Sequence, residues 1–320
     1  MRFSVIIPLY NKAEYIGRTL ASVFSQVCTD YEVIVIDDGS TDDSFLVASH
    51  KVANHPECRV IKQDNMGVAI TRNRGVEMAR GEFVCFLDAD DWWEDDFLYE
   101  IENLIDSFPD AGMYGTGFYI VKNDCKRVAP IGVEKGFQAG YINYCQTYAR
   151  TLCMPITSSS VAIPREVFIK SGGFKSQITL GEDFDLWVRI ALKHKVALVN
   201  KPLANYYQDI PTSRRATRHL HNPQNHMLWN LDYLDEEMEH NDDLKLLINR
   251  LRASGLYRYY LSREYHEAAL TYLSKIDWSL VSNKSYHIYH SPLWLQRFRF
   301  HFFSVAANIK SRILKIRHTS

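Results

Sequence analysis

Apolar residues along the first part of the chain fall into two kinds of run. The stretch Phe3-Ser4-Val5-Ile6-Ile7-Pro8 is continuous and rich in β-branched side chains, the mark of a strand buried on both faces. Directly after it, Ile16, Leu20, Val23, Phe24 and Val27 recur at helical spacing and form one apolar stripe. The alternation then repeats. Residues 32–36 predict a second strand ending at Asp37-Asp38-Gly39-Ser40-Thr41-Asp42, where Asp42 can cap a helix running to about Ala53. Residues 59–62 predict a third strand, residues 67–80 a helix, and residues 81–87 a fourth strand. Strands and helices alternating at this spacing indicate a parallel α/β sheet covered on both faces. Ligands of such sheets bind beyond the carboxyl ends of the strands. Residues 8–11, 37–40 and 88–91 all fall at those ends, so three polar termini point into one crevice.

Phe97, Leu98, Ile101, Leu104, Ile105 and Phe108 predict a further amphipathic helix, closed by Pro109. Residues 111–138 then read as two or three strands, antiparallel, with turns at Asn123-Asp124 and Gly132. Residues 158–163 predict a strand and residues 164–170 a short helix opened by proline. Leu180-Gly181-Glu182-Asp183-Phe184-Asp185-Leu186-Trp187 leads into a helix, and residues 196–199 and 203–207 predict two short strands. From about Arg214 the chain turns helical. The expected organisation is residues 1–110 and 111–215 as the two halves of an α/β domain, and 216–320 as a C-terminal helical region.

That last region ends on Ser291-Pro292 followed by Trp294, Phe298, Phe302, Val305, Ile309, Ile313 and Ile316 at three- or four-residue spacing. Packing of an amphipathic helix onto the rest of the chain accounts for this stripe. After Asp277 there is no acidic residue, while Lys284, Arg297, Arg299, Lys310, Arg312, Lys315 and Arg317 follow. These basic residues suit peripheral contact with an anionic membrane surface.

Composition narrows the classes. Over 320 residues, hydrophobic content of 46% and charged content of 23% are those of a folded globular protein. A formal net charge of -1 argues against a nucleic-acid binder, which would carry a basic excess. The six cysteines (Cys28, Cys58, Cys85, Cys125, Cys145 and Cys153) form no C-x-x-C pair and lack zinc-type spacing to histidine, so a reduced, cytoplasmic setting is expected. The apolar run at the start is too short for a signal peptide, and no run has the length of a membrane span.

Chemistry concentrates where Phe83-Val84-Cys85-Phe86-Leu87 stops at Asp88-Ala89-Asp90-Asp91. Carboxylates crowded at the end of a buried strand repel one another and lose hydration. A divalent cation, Mn²⁺ or Mg²⁺, would offset that through hard oxygen ligands. An acidic turn in which Asp91 caps a helix starting near Glu94 is the plainer reading. There is no G-x-x-x-x-G-K-[ST] and no G-x-G-x-x-G, so phosphates would be held by a metal and not by a glycine cradle. Glu182-Asp183 is a second acidic pair, at a helix start; either acid could serve as a general base, or both could simply stabilise the helix N-terminus. Trp92 and Trp93 could line the apolar face of a bound sugar or belong to the core, while Trp187 falls on the inward side of its helix.

Ser4-Val5-Ile6-Ile7-Pro8-Leu9-Tyr10-Asn11, Asp37-Asp38-Gly39-Ser40-Thr41-Asp42, Asn65-Met66-Gly67 with Thr71-Arg72-Asn73-Arg74-Gly75, Gly81-Glu82 followed by Asp88-Ala89-Asp90-Asp91, and Gly181-Glu182-Asp183 with Asp185-Leu186-Trp187 occur in one order. Together they resemble the family 2 glycosyltransferases over roughly residues 1–210. The resemblance implies a GT-A fold, with a mostly parallel sheet and helices on both faces, followed here by the helical extension. It also implies a nucleotide-sugar donor, with UDP-sugar the expected class, and metal-assisted, inverting transfer to an acceptor hydroxyl. Bacterial surface polysaccharide or lipid-linked glycan assembly is the implied setting, and self-association into a homo-oligomer is compatible with it.

Carried onto this sequence, the resemblance gives Pro8, Tyr10 and Asp38 to the base and ribose and Arg72 to the donor. Asp88-Ala89-Asp90 would line the donor site, with Asp90 holding the metal and Asp88 supporting ribose or metal. The catalytic base would come from Glu182-Asp183, Asp183 being favoured. Arg214, Arg215 and Arg218 would close over the diphosphate or remain a solvated loop. Tyr206-Tyr207-Gln208-Asp209-Ile210-Pro211 stands where the family often has a His-Pro-Gly-like stretch. Two rivals stay in view: a sugar nucleotidyltransferase, which would need a glycine- and arginine-rich first loop, and a non-catalytic nucleotide-sugar-binding protein.

Overall fold

The computed structural model describes residues 1–123, 125–210 and 220–302. The chain forms two compact units, Met1–Leu244 and Lys245–Ser320. The first is built on one sheet whose N-terminal half is parallel, as expected. Strand β1 (Phe3–Leu9) lies between β2 (Tyr31–Asp38) and β4 (Phe83–Phe86), and β3 (Cys58–Gln63) flanks β2. All of these pairings are parallel. Every residue of β2 and β4 is buried, and all of β1 except Pro8, which is why those strands read as unbroken apolar runs.

Helices α1 (Ala13–Phe24), α2 (Ser44–Val52), α3 (Val68–Met78) and α4 (Phe97–Ser107) connect and cover these strands. Helix α3 lies directly on β1: a Cβ built on Gly75 would come within 2.4 Å of Ile6 Cγ2. Only glycine permits that approach, and it fixes where the Arg72 side chain emerges.

The second half of the sheet is mixed. Strand β9 (Val161–Pro164) runs antiparallel to both β4 and β6 (Ala111–Lys122), joining the two halves. The expected antiparallel pairing after residue 111 is the β6–β7 hairpin, with β7 at Cys125–Val128. Residues Ser158–Ser160 form a 3₁₀ turn ahead of β9, so the strand expected over residues 158–163 starts later. The two short strands expected over residues 196–207 are one strand, β10 (Lys195–Tyr207), interrupted by register shifts around Pro202. Its edges pair with β8 (Ala139–Ile142) and with the two-residue β5 (Trp92–Trp93). Helices α5 (Tyr144–Thr151), α6 (Arg165–Lys170) and α7 (Glu182–Ala191) complete this half, and α8 (Asp235–His240) follows it.

The chain from Lys245 on is helical where it is described. It comprises the remainder of α9 (Asp242–Gly255), α10 (Tyr257–Leu261), α11 (His266–Leu273), α12 (Asn283–Tyr289) and a final helix over residues 293–302. In that last helix Trp294, Phe298 and Phe302 are exposed, while Gln296 is buried. Helical spacing shows that residues share a face but not which face meets the core. Val305 to Ile316, and Arg214, Arg215 and Arg218, lie outside the described residues. All six cysteines are free, and no described helix is long and apolar enough to cross a membrane.

Candidate active site

The ends of β1 and β2 are knitted together first. Asn11 takes a left-handed backbone (φ 51°), its N–H donates to Ser40 Oγ at 3.0 Å, and its Oδ1 accepts from the Thr41 N–H at 2.8 Å. Pro8 is half-buried, and Tyr10 is exposed above it. Asp38 is buried and organises the neighbouring loop. Its carboxylate accepts from Gln63 Nε2 at 2.7 Å and from the Met66 and Gly67 N–H groups, each at 2.8 Å. Oδ2 carries only one of these bonds and keeps acceptor capacity. Asp37 beside it is fully buried, and neither carboxylate oxygen has a hydrogen-bond partner among the described residues.

The Asp88–Asp91 loop is clamped from several sides. The Arg18 guanidinium donates to the Asp90 carbonyl at 3.0 Å, and the Thr19 hydroxyl lies 2.9 and 2.7 Å from the Ala89 and Asp91 carbonyls. Lys12 Nζ reaches Asp90 Oδ2 at 2.5 Å. Burial pushes the Asp90 carboxyl up; Lys12 pulls it back and Asp88 adds to the rise. Asp91 does not cap a helix, since α4 begins only at Phe97. Its carboxylate accepts from Ser159 Oγ at 2.6 Å and from the Tyr207 N–H at 2.8 Å, bracing the loop against β10. Burial, with Asp90 and Asp88 nearby, holds the Asp91 carboxyl well above its usual range.

The tryptophans separate. Trp93 is buried, stacks on Phe97 at 4.0 Å and donates Nε1 to the Ser159 carbonyl at 2.6 Å. Sugar stacking is thereby corrected to a core role for Trp93, while Trp187 is buried, as its inward position on the helix predicts. Trp92 stays at the surface beneath Arg18, whose guanidinium lies 3.7 Å from the ring centroid.

Arg72 joins the two acidic constellations. Almost fully buried, it donates Nη2 to Asp88 Oδ1 and Nη1 to Glu182 Oε1, both at 2.7 Å, across 110 residues of sequence in the second case. Burial alone would lower its pKa, but the pull of Asp88 and Glu182 raises it above the ordinary arginine value. Burial and the Asp183 charge push Glu182 up to about 7, against the opposing pull of Arg72. Asp183 is also raised, by burial first, with Arg72 opposing and Asp88 contributing. The two acids differ in freedom. Glu182 is locked on Arg72. Asp183 accepts its own helix's Phe184 N–H at 2.8 Å through Oδ1, and Oδ2 has only a long 3.4 Å contact with Ser158 Oγ. Asp183 Oδ2 is therefore the less engaged of the two carboxylates.

Helix α7 is held by Asp185, part of the acidic motif, through partners that the sequence did not flag. Asp185 is fully buried and accepts from Lys175 Nζ at 2.8 Å, Arg189 Nε at 2.9 Å and Tyr233 Oη at 2.8 Å. His226 bridges to Leu180 just ahead of the helix, and burial holds its imidazole down at about 4, hence neutral. Lys12, Arg18, Thr19 and Ser159 were equally unmarked; only the Thr157–Ser160 hydroxyl run offered a signal.

Asp88 and Asp90 are the hard oxygen donors here that could hold a metal. Among the described residues no group of three His, Cys, Asp or Glu side chains makes an all-protein cage. Mg²⁺-type ions are commonly bound through one or two carboxylates plus substrate phosphates, so this donor set fits a cation that arrives with a diphosphate.

Comparison with known proteins agrees with this geometry. AmsB, the amylovoran biosynthesis glycosyltransferase of Erwinia amylovora, is 29% identical over 252 residues, covering 75% of this chain and 80% of AmsB. The glycosyltransferase YibD of Escherichia coli K12 is 44% identical over 90 residues, which span 28% of this chain and only 26% of YibD. Among solved structures, Staphylococcus aureus TarS 1–349 in complex with UDP-GlcNAc superposes with a TM-score of 0.73 at 21% identity, covering 93% of this chain and 88% of that one. The profile of Glycosyl transferase family 2 matches residues 4–163, half of the chain. With that match and the GT-A-like sheet, the chain belongs to glycosyl transferase family 2 and is a glycosyltransferase.

Proposed function

We propose that this enzyme transfers a sugar, with inversion, from a UDP-sugar to a hydroxyl of a glycan or lipid-linked glycan during bacterial surface polysaccharide assembly. The observation that carries the reading is the pair of hydrogen-bonded ion pairs from Arg72 to Asp88 and Glu182, which ties the acids suited to the donor to those suited to the acceptor. The names of AmsB and of the UDP-GlcNAc complex of TarS support the setting and the donor class.

Pro8, Tyr10 and Asp38 receive the base and ribose at the β1 and β2 ends. Ala89, buried between its neighbours, keeps the Asp88 and Asp90 side chains turned into the crevice. Mn²⁺ or Mg²⁺ held by Asp90, with support from Asp88, would neutralise the developing charge on the departing diphosphate. Asp183 accepts the proton of the acceptor hydroxyl as its oxygen attacks the anomeric carbon. The bond from that carbon to the diphosphate oxygen breaks in the same displacement, and the nucleoside diphosphate leaves with the bonding pair. Arg72 keeps Glu182 fixed, so that Asp183 alone moves a proton. Burial raises the Asp183 carboxyl and makes it a better base than an exposed aspartate at neutral pH.

Incubation with a panel of UDP-sugars and glycan acceptors, with the product anomer read by NMR, tests the proposal. Inverted product from the wild type and none from Asp183→Asn support it. Retained configuration, or transfer by the variant at the wild-type rate, contradicts it.

A further inference from the structure

The Asp38 carboxylate is held by a side chain outside the motifs that form the site. Gln63, the last residue of β3, donates Nε2 to Asp38 Oδ1 at 2.7 Å and to Thr71 Oγ1 at 3.1 Å. Its Oε1 accepts from Arg74 Nη1 at 2.8 Å. Both edges of the amide are thus engaged. Arg74 can only donate, so it fixes which edge of the amide faces Asp38. The backbone closes the same pocket. The Met66 and Gly67 N–H groups donate to Asp38 Oδ1 and Oδ2. A Cβ on Gly39 would stand 2.8 Å from the Asn65 nitrogen, so the loops after β2 and β3 are in close contact.

Asp38 meets three N–H donors, from Gln63, Met66 and Gly67, and acts as an acceptor toward each. Oδ2 takes one of them and has a lone pair left for a further donor. The N3–H of uracil is a donor of that kind. We propose, on the reading of Asp38 as the base contact, that Gln63 is a positioning residue for the nucleobase. Its amide, oriented by Arg74, fixes the Asp38 carboxylate so that Oδ2 receives the N3–H of uracil. Supporting hydrogen bonds of this sort keep a contact residue within the narrow range of angles that recognition needs. Helix α3 then serves both ends of the donor site. Arg72 and Arg74 stand two positions apart on it, the first on Asp88 and Glu182 and the second on Gln63.

The test is titration calorimetry of the full chain with UDP and with 3-methyl-UDP, in which a methyl group replaces the N3 hydrogen. Gln63→Met keeps the side-chain volume and deletes the amide. It should weaken UDP binding by about ten- to hundredfold, the worth of a hydrogen bond to a charged group. KM for the donor should rise with kcat retained, and the preference for UDP over 3-methyl-UDP should shrink, because a carboxylate free to turn no longer selects that hydrogen. Gln63→Glu sets two carboxyls together, which share a proton in mild acid and repel one another above it. Arg74 faces the introduced carboxyl too, and its pull moves that change to lower pH without reversing it. UDP affinity of Q63E, taken as a ratio to wild type at each pH, should therefore fall several-fold as pH rises from about 5.5 to about 8. Arg74→Met leaves the amide in place but unoriented and should show a smaller loss in the same direction. Circular dichroism should be unchanged in all three. Binding by Q63M within about twofold of wild type with the preference intact, or a Q63E ratio indifferent to pH, overturns the proposal. Asp38→Asn separates the two claims. If it binds UDP as the wild type does, the base-contact reading falls and the role of Gln63 falls with it. A loss in Asp38→Asn while both Gln63 variants behave as wild type overturns the role of Gln63 alone.

Discussion

Replacing Arg72 by methionine keeps most of the side-chain volume and deletes the guanidinium, leaving Asp88 and Glu182 without their shared partner. Asp88 retains a third of its side-chain surface in water, so solvent takes over much of its stabilisation. Glu182 is nearly buried and has no such recourse, so the larger part of the penalty arises there. Breaking one side of a buried charge pair destabilises by about 3–5 kcal/mol, and protonation of Glu182, already raised to about 7, relieves part of it. The expected loss is therefore about 2–4 kcal/mol, a fall in Tm of roughly 5–15 °C for a unit of this size. Calorimetry of R72M, E182Q and the double variant at neutral pH measures the coupling. Adding E182Q to R72M should recover at least about half of the loss, since it removes the uncompensated acid. A Tm for R72M within a degree or two of wild type, or no recovery in the double variant, would refute the bridging role.

Asp183→Asn should lower kcat by about 10²–10⁴-fold and leave donor affinity unchanged, read by steady-state kinetics and calorimetric titration. Glu182 titrates higher in the folded state than in the unfolded chain, so it contributes stability that is full below its ordinary value of 4.5 and is lost as pH rises through about 7. Denaturant midpoints should therefore show a decline from pH 5 to pH 8 that is flatter in E182Q. Gly81→Ala should destabilise by about 1–3 kcal/mol, because its Cβ would stand 2.6 Å from the Phe3 carbonyl carbon and 2.7 Å from the Ser4 nitrogen.

The parallel half of the sheet was legible because strands buried on both faces carry continuous apolar runs, as 5–7, 33–36 and 83–87 do. The acidic strand ends were legible for the complementary reason: the Asp88–Asp91 carboxylates follow directly on a fully buried strand. What closed the site was not legible. The Arg72–Glu182 contact spans 110 residues of sequence, and a single arginine in a helix carries no mark of its distant partner. Asp91 looked like a cap because caps are local, whereas its real partners, Ser159 and the Tyr207 N–H, come from remote segments. Trp93 could not be told from a sugar platform without knowing which face of the sheet it joins. Periodicity likewise groups the C-terminal aromatic residues on one face without saying whether that face is covered.

The central claim is that Asp88 and Asp90 hold a divalent cation against the diphosphate of a nucleotide-sugar donor. Thermal unfolding of the wild type, D90A and D183N, each with UDP-GlcNAc in the presence and absence of Mn²⁺, tests it most directly, because a ligand specific for the folded state raises apparent stability. The account predicts a donor-induced rise in Tm that requires Mn²⁺ in the wild type, persists in D183N and disappears in D90A. A rise in D90A equal to that of the wild type, or one indifferent to Mn²⁺, would contradict it.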